Sequence, residues 1–384
     1  MPWKERTVSE QRLVLVHRVV ELKHPLTEVA REMQVSRKTA YKWVGRYRAD
    51  PQLSMEDRSR RPHSSPGRTC DTLEARVLSW RDQHRWGARK IHRLMRHEQA
   101  GSLETTPLPS VRTIATILRR HNRVGDLTRP IEDAATQRFE RSAPNQLWQI
   151  DHKGAVEVGR QKYCPLVILD DHSRYCLRME PVAEKTVATA WSILWDLLGE
   201  VGLPESILTD NAFSADRGLS WFDARLVRLN INPIHGRPYH PQTQGKVERF
   251  NGTMNRELIH LRARRDCLDH FRSDGERWRR TYNTLRPHES LGDEPPAARW
   301  KPSSRTRPPQ LPEVVYPADA TLRKVTQVGD VYYRNRRILV GRCMGGDHVR
   351  IEDRGNEIAV YYSWKLIRVL GPDQLGPARC YKQI

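Results

Sequence analysis

Over the first fifty residues apolar side chains return every three or four positions: Leu13, Val16 and Val20, then Leu26, Val29, Ala30 and Met33, then Ala40, Trp43, Val44 and Tyr47. That spacing predicts three helices between residues 9 and 49, with Pro25 opening the second and Ser36 capping the third. The same period recurs over Leu73 to His84, Ala88 to His97 and, behind Ser110, Val111 to His121. Between the two helical stretches, Arg58 to Arg68 holds two prolines, four arginines and no acid. Such a segment reads as an extended linker.

From Asn145 the period changes. Residues 147–158, 162–169 and 173–182 alternate or run apolar as strands do, and Val187, Trp191, Leu194, Trp195 and Leu198 then return to helical spacing before Pro204. A short strand at 206–209, a helix around 221–229, a run at 231–234 and a long helix from about 242 to 262 complete the unit. Three strands, helix, strand, helix, strand, helix is the order of a ribonuclease-H-like α/β/α domain. Past Trp300 a Pro-, Ser- and Arg-rich stretch ends at Pro312, and short β segments at 331–333, 337–340, 349–351 and 358–362 fit a small β-barrel. The expected chain is therefore multidomain α/β. A helix-turn-helix domain spans 1–57 and a basic linker 58–69, followed by a second helix-turn-helix or winged-helix-like domain at 70–125. A linker at 126–142 leads to the catalytic core at 143–300, and a linker at 301–312 to a β-barrel at 313–384.

Charge narrows the partners: 66 Lys and Arg against 46 Asp and Glu leave +20, which points to a polyanion. The third predicted helix shows Ser36, Arg37, Lys38, Thr39, Tyr41 and Lys42 on its early turns, suited to a major groove. Arg58, Arg60 and Arg61 suit a minor groove, and Arg112, Thr113 and Thr116 suggest a second reading helix. Double-stranded DNA is thus the expected partner. Six scattered cysteines form no Cys-x-x-Cys pair, which argues against a disulfide framework or a cysteine zinc site. No apolar run is long enough to span a bilayer, so the expected location is the cytoplasm, with no membrane partner.

Three acids have distinctive surroundings: Asp151 in Trp148-Gln149-Ile150-Asp151, Asp210 in Thr209-Asp210-Asn211, and Glu248 in the run His240-Pro241-Gln242-Thr243-Gln244-Gly245-Lys246-Val247-Glu248-Arg249-Phe250-Asn251. In the expected strand order Asp151 lies on the central strand and Asp210 at the end of its neighbour. On the long helix Val247, Phe250, Met254 and Leu258 form the stripe that packs on the sheet, Glu248, Asn251 and Asn255 lie beside it, and Lys246 and Arg249 are placed to reach phosphate. Glu257 points to the opposite side and makes a poor substitute for Glu248. Three gathered carboxylates bind hard divalent ions through oxygen, and paired ions of that kind break and join phosphodiester bonds.

These motifs, with Leu169-Asp170-Asp171-His172-Ser173-Arg174 and Gly87-Ala88-Arg89-Lys90-Ile91, resemble the bacterial insertion-sequence transposases of the Asp-Asp-Glu (DDE) retroviral-integrase superfamily over about 300 residues. The resemblance implies a triad of Asp151, Asp210 and Glu248 holding two Mg²⁺ or Mn²⁺ ions. It also implies 3′-end cleavage at terminal inverted repeats, strand transfer into target DNA, a homo-oligomer on DNA and a nucleoid-associated bacterial setting. Two departures stand out: Ala212 follows Asn211 where many relatives place glycine, and the amino-terminal His and Cys zinc module of retroviral integrases is missing. A regulator with an inert core and a nuclease acting on RNA in hybrids are the competing readings. The intact triad opposes the first and the two upstream DNA readers the second.

Overall fold

The computed structural model describes residues 7–52, 55–57, 68–100, 107–124, 140–210, 213–214, 218–236, 245–261, 264–334 and 336–371. Arg58, Arg60 and Arg61, together with residues 237–244, lie outside them. The chain divides into two compact units, Met1–Arg68 and Thr69–Ile384.

The first unit holds α1 (Val8–Val20), α2 (Leu26–Glu32) and α3 (Arg37–Ala49). Thr7 and Glu10 form a capping box at α1, and Ser36 Oγ accepts the Thr39 amide at 3.1 Å at the start of α3. Leu13, expected on the inner face, is instead 49% exposed; Leu15, Val16 and Val19 line the core with Val29, Ala40, Trp43 and Val44. The Arg12 guanidinium lies 3.9 Å from the centre of the Trp43 ring and roofs that core.

The second unit opens with α4 (Asp71–His84), α5 (Ala88–Ala100) and α6 (Val111–Arg120). Arg85, in left-handed conformation at φ 56°, ends α4. Trp86 then turns inward to pack with Val77, Ile91, Leu94, Ile114 and Ile117. Leu285 of the following domain packs against the same cluster, and Arg89 reaches Glu289 and Asp293 at 3.0 Å. These helices are therefore seated on the core.

The core sheet comprises β1 (Trp148–His152), β2 (Val156–Val158), β3 (Gln161–Asp170), β4 (Cys176–Val182), β5 (Ser206–Thr209) and β6 (Asn232–His235). The single expected strand 147–158 is broken at 153–155, and its two halves pair antiparallel with successive parts of β3. On its other edge β3 pairs with β4, while β1 pairs in parallel with β5 and β5 with β6. One sheet face packs on α7 (Val187–Val201) and α8 (Trp221–Arg228) through Trp148, Ile150, Ile207, Leu194 and Phe222. The other face packs Val167 and Leu169 against α9 (Gly245–Met254) and α10 (Leu268–Thr284). A π-helical turn, Asn255–Ile259, continues α9. Among the described residues no helix is long and apolar enough to cross a membrane.

Residues 301–312 lack regular structure and are strapped to the core. Leu203 N donates to Arg305 O at 2.7 Å, Ser303 N to Val201 O at 2.8 Å, and the Arg305 guanidinium to the Pro204, Leu229 and Asn230 carbonyls. Gly202 admits the strap: at φ 85°, a Cβ would meet Arg305 O at 2.7 Å and Ser303 O at 2.8 Å.

The carboxyl-terminal region corrects the barrel expectation. Strands β7 (Leu322–Lys324), β10 (His348–Asp353), β11 (Ile358–Tyr362) and β12 (Lys365–Leu370) form an antiparallel sheet in the order β12-β11-β10-β7, and β8 (Asp330–Tyr333) with β9 (Arg336–Leu339) forms a separate hairpin. Among the described residues no pairing closes the two into a barrel. Their apolar faces share a core with Leu219, Ala224 and Val227 of α8 and its lead-in, so a helix covers what closure would have covered.

Candidate active site

Asp151 is the fourth residue of β1, and its pairing partner across β3 is Val167. Paired residues on neighbouring strands share a face, so Asp151 points to the side where Val167 packs under α9. In the parallel pair Trp148 lies beside Ile207 and Gln149 beside Leu208. Carried forward, that register sets Asp210, one residue beyond β5, level with Asp151 on the same face. Val247, Phe250 and Met254 press α9 onto this face and leave Glu248 exposed in its first turn. One turn further on, Asn251 Nδ2 donates to Asp151 Oδ2 at 2.8 Å.

The electrostatics bear out the proximity. Burial, above all, holds the Asp151 carboxyl above its ordinary range; the Asn251 hydrogen bond opposes this, and the negative charges of Asp210 and Glu248 add to it. Among the described residues no cation pairs with Asp151 or Glu248. The ligand oxygens of the three acids do not all lie within 4.8 Å of one another, a spacing that among the described residues only the surface group Asp266, Cys267 and His270 achieves. There the Asp266 to His270 contact, 2.7 Å and one helical turn apart, accounts for the clustering. The triad is thus a half-open set of like charges. Oxygen donors only, with mutual repulsion unrelieved at Asp151 and Glu248, suit a hard divalent cation.

The surroundings fix these positions. Asp170 accepts from Asn145 N at 2.8 Å, and from Ser173 N at 2.8 Å and its hydroxyl at 2.5 Å, which ties the turn after β3. Asp171, wholly buried, accepts from Arg141 N, Gln149 Nε2 and Lys246 Nζ. Lys246, expected to reach phosphate, thus has its ammonium on Asp171 at 2.6 Å and anchors the first turn of α9. Beside Asp210, His235 bridges Thr209 Oγ1 and the buried Asp223 carboxylate, at 3.1 Å each. Glu257 is buried against Arg286, whose Nε meets both carboxylate oxygens at 3.0 Å, and takes no place beside the triad. Asn251 was legible only as a member of the Glu248 stripe; its contact with Asp151 depends on how the helix sits.

Of the candidate DNA contacts, Arg37, Lys38, Tyr41 and Lys42 are exposed on α3, as are Arg112 and Thr116 on α6. Thr39 and Thr113 are half-buried, each giving its amide to the capping serine, Ser36 or Ser110. Arg249 is exposed beside Glu248. A larger cavity, about 720 Å³, runs between β4 and α7 and holds none of the acids.

Models of the integrase core domain match residues 141–241 and 229–296, and helix-turn-helix and homeodomain-like models match 11–63 and 39–118. Residues 141–296 of the chain thus carry an integrase core domain. Helix-turn-helix matches followed by an integrase core match are consistent with a DDE-type insertion-sequence transposase. A protein of insertion element IS476 from Xanthomonas euvesicatoria is 26% identical over 60% of this chain and 65% of its own length. The transposase for transposon Tn552 from Staphylococcus aureus is 27% identical over 31% of this chain and 28% of its own length. The match thus spans less than two thirds of these relatives. Among solved structures, the magnesium complex of the HTLV-2 integrase catalytic core aligns with 41% of this chain and 97% of its own, at 20% identity and a TM-score of 0.31.

Proposed function

We propose that the protein is a transposase that binds the terminal inverted repeats of its insertion sequence and catalyses metal-dependent 3′-end cleavage and strand transfer into target DNA. The observation that carries this reading is the register of β1 and β5, which aligns Asp151 with Asp210 under the helix bearing Glu248. Asp151, Asp210 and Glu248 would hold two Mg²⁺ or Mn²⁺ ions, which supply charge for the phosphoryl oxygens and make water or a 3′ hydroxyl a better nucleophile. Asn251 holds the Asp151 carboxylate by one oxygen. The half-buried setting limits solvent access to Asp151, and the exposed first turn of α9 gives the DNA backbone access to Glu248. The exposed faces of α3 and α6 are the proposed DNA readers, and joining two ends to one target requires more than one copy of the chain.

Incubating the full chain with labelled element ends, target DNA and Mg²⁺ tests the reading. Strand-transfer products are expected; end binding without cleavage, or degradation of RNA in a hybrid instead, would overturn it. A second expected result concerns Asn251→Ala. Freed from its amide donor, Asp151 should bind metal more weakly, so the Mg²⁺ concentration giving half-maximal joining rises about 10- to 100-fold, as for other residues that orient a metal ligand. Near-normal joining at saturating Mg²⁺ is expected, and an unchanged Mg²⁺ titration would remove the positioning role.

A further inference from the structure

A second polar hollow lies on the flank of α9 away from the acids. It is a cavity of about 430 Å³ whose walls carry Lys90, Arg174, Lys246, Arg249, Arg256 and Arg286. Four elements build it: α5 of the second helical domain, the turn after β3, α9, and the chain leaving α10. Three acids answer these six cations directly: Glu140 at Arg174, Asp171 at Lys246, and Glu257 shared between Arg286 and Lys90. Glu289, also in the wall, reaches outward to Arg89. Arg249 makes no hydrogen bond or ion pair among the described residues, and Arg256 reaches only the Thr253 hydroxyl, at 3.4 Å.

We propose that this cavity is a phosphate-binding site that clamps a backbone phosphate of the DNA strand leading to the acids. The assignment rests on the transposase reading and deepens it. Unbalanced cations crowded at a half-enclosed site recognise an anion, and the planar forks of Arg249 and Arg256 suit phosphate oxygens. The volume falls within the range of small-ligand sites. Position identifies the phosphate as one in a strand: residues 248 to 256 span about 12 Å along the helix, so Glu248 and Arg256 can serve one backbone a few nucleotides apart. Charge crowding is already felt here. Burial, with Arg286 and Arg256 nearby, lowers the Lys90 ammonium to about 8, and burial with Arg286 and Lys90 pushes His288 down to about 2. A bound phosphate would offset the cation repulsion in both. The site also gives a reason for docking the second helical domain on the core, since Lys90 comes from α5.

Lysine acylation of the wild-type chain, read by mass spectrometry, tests this without any substitution. Lys90 should react readily in the free protein and several-fold less with an element-end duplex bound. Protection by inorganic phosphate as strong as that by the duplex would assign the cavity to free phosphate and overturn the strand assignment; equal labelling with and without DNA would remove the site. The variant Lys90→Gln/Arg256→Gln, checked by its Tm for folding, should lower the slope of log affinity against log salt by about 1 to 2, one contact's worth per lost charge. A methylphosphonate scan of the duplex should find one position that weakens wild-type binding several-fold and has no effect on the variant. An unchanged slope with no such position would overturn the proposal. The two readings fail separately: end joining with Lys90 unprotected sinks the clamp alone, whereas protected Lys90 without any Mg²⁺-dependent joining sinks the transposase reading alone.

Discussion

Asp151→Asn should reduce strand transfer by at least about a thousand-fold while element-end binding stays within about two-fold of wild type. A thousand-fold corresponds to about 4 kcal/mol of lost transition-state stabilisation, the scale of charge neutralisation that a metal site supplies. Binding should survive because the proposed readers lie on α3 and α6, whereas Asp151 sits at the end of the core sheet. The same substitution should stabilise the metal-free protein. Burial, with Asp210 and Glu248 alongside, raises the Asp151 carboxyl in the fold, so ionising it opposes folding. That cost is absent below the unfolded-state value, grows as pH rises through the raised one, and persists in full above it. Asparagine removes it, so the variant's Tm should exceed wild type at neutral pH and converge with it in acid. Added Mg²⁺ should raise the wild-type Tm and leave the variant's unmoved. A structural aspartate would behave oppositely, losing stability on substitution at neutral pH, and residual joining by the variant would contradict the catalytic assignment.

Much of the core could be read from periodicity because its elements are long and have one buried face. The spans of α4 to α8 and of β5 agree with the expected ones to within about three residues, the ordinary uncertainty of helix ends. Helix α10 was missed, although Phe271, Trp278 and Tyr282 mark its buried stripe: its mean composition is so charged that Arg and Asp obscured three aromatic anchors. The same tolerance hid the strap at 301–312, a stretch read as a linker, where Arg305 donates to carbonyls of the core. Strands β7 and β12 lack clean alternation and depend on partners distant in the chain. At the site, the acids were legible from their local motifs, but their supports were not. Whether Lys246 meets DNA or Asp171, and whether Asn251 meets solvent or Asp151, is decided by the angle at which α9 crosses the sheet, which one-dimensional spacing does not contain.

That dependence makes Asp171 the residue whose loss should damage both fold and chemistry. Its carboxylate is fully buried and accepts from Arg141 N at 2.9 Å, Gln149 Nε2 at 2.8 Å and Lys246 Nζ at 2.6 Å, joining the entry to the core, β1 and α9 at one point. Alanine would leave the Lys246 ammonium in surroundings that already lower its pKa through burial, and would strand the side-chain amide of Gln149. Breaking a buried pair by removing one partner typically costs about 3 to 5 kcal/mol, and that is the loss expected in urea unfolding of Asp171→Ala. Asp171→Asn, which keeps an acceptor but not the charge, should cost about half as much. Adding Lys246→Met to Asp171→Ala should recover much of the loss, because most of the penalty is a buried ammonium that has lost its carboxylate counter-charge. Chemistry should not recover with it. The first turn of α9 would still lack its anchor, Glu248 would sample more orientations, and the Mg²⁺ requirement for joining should remain elevated in the stable double variant. If that variant joined DNA at wild-type Mg²⁺ concentrations, Lys246 and Asp171 would be a stability pair only, and Glu248 would owe its position to the apolar stripe of Val247, Phe250 and Met254 alone.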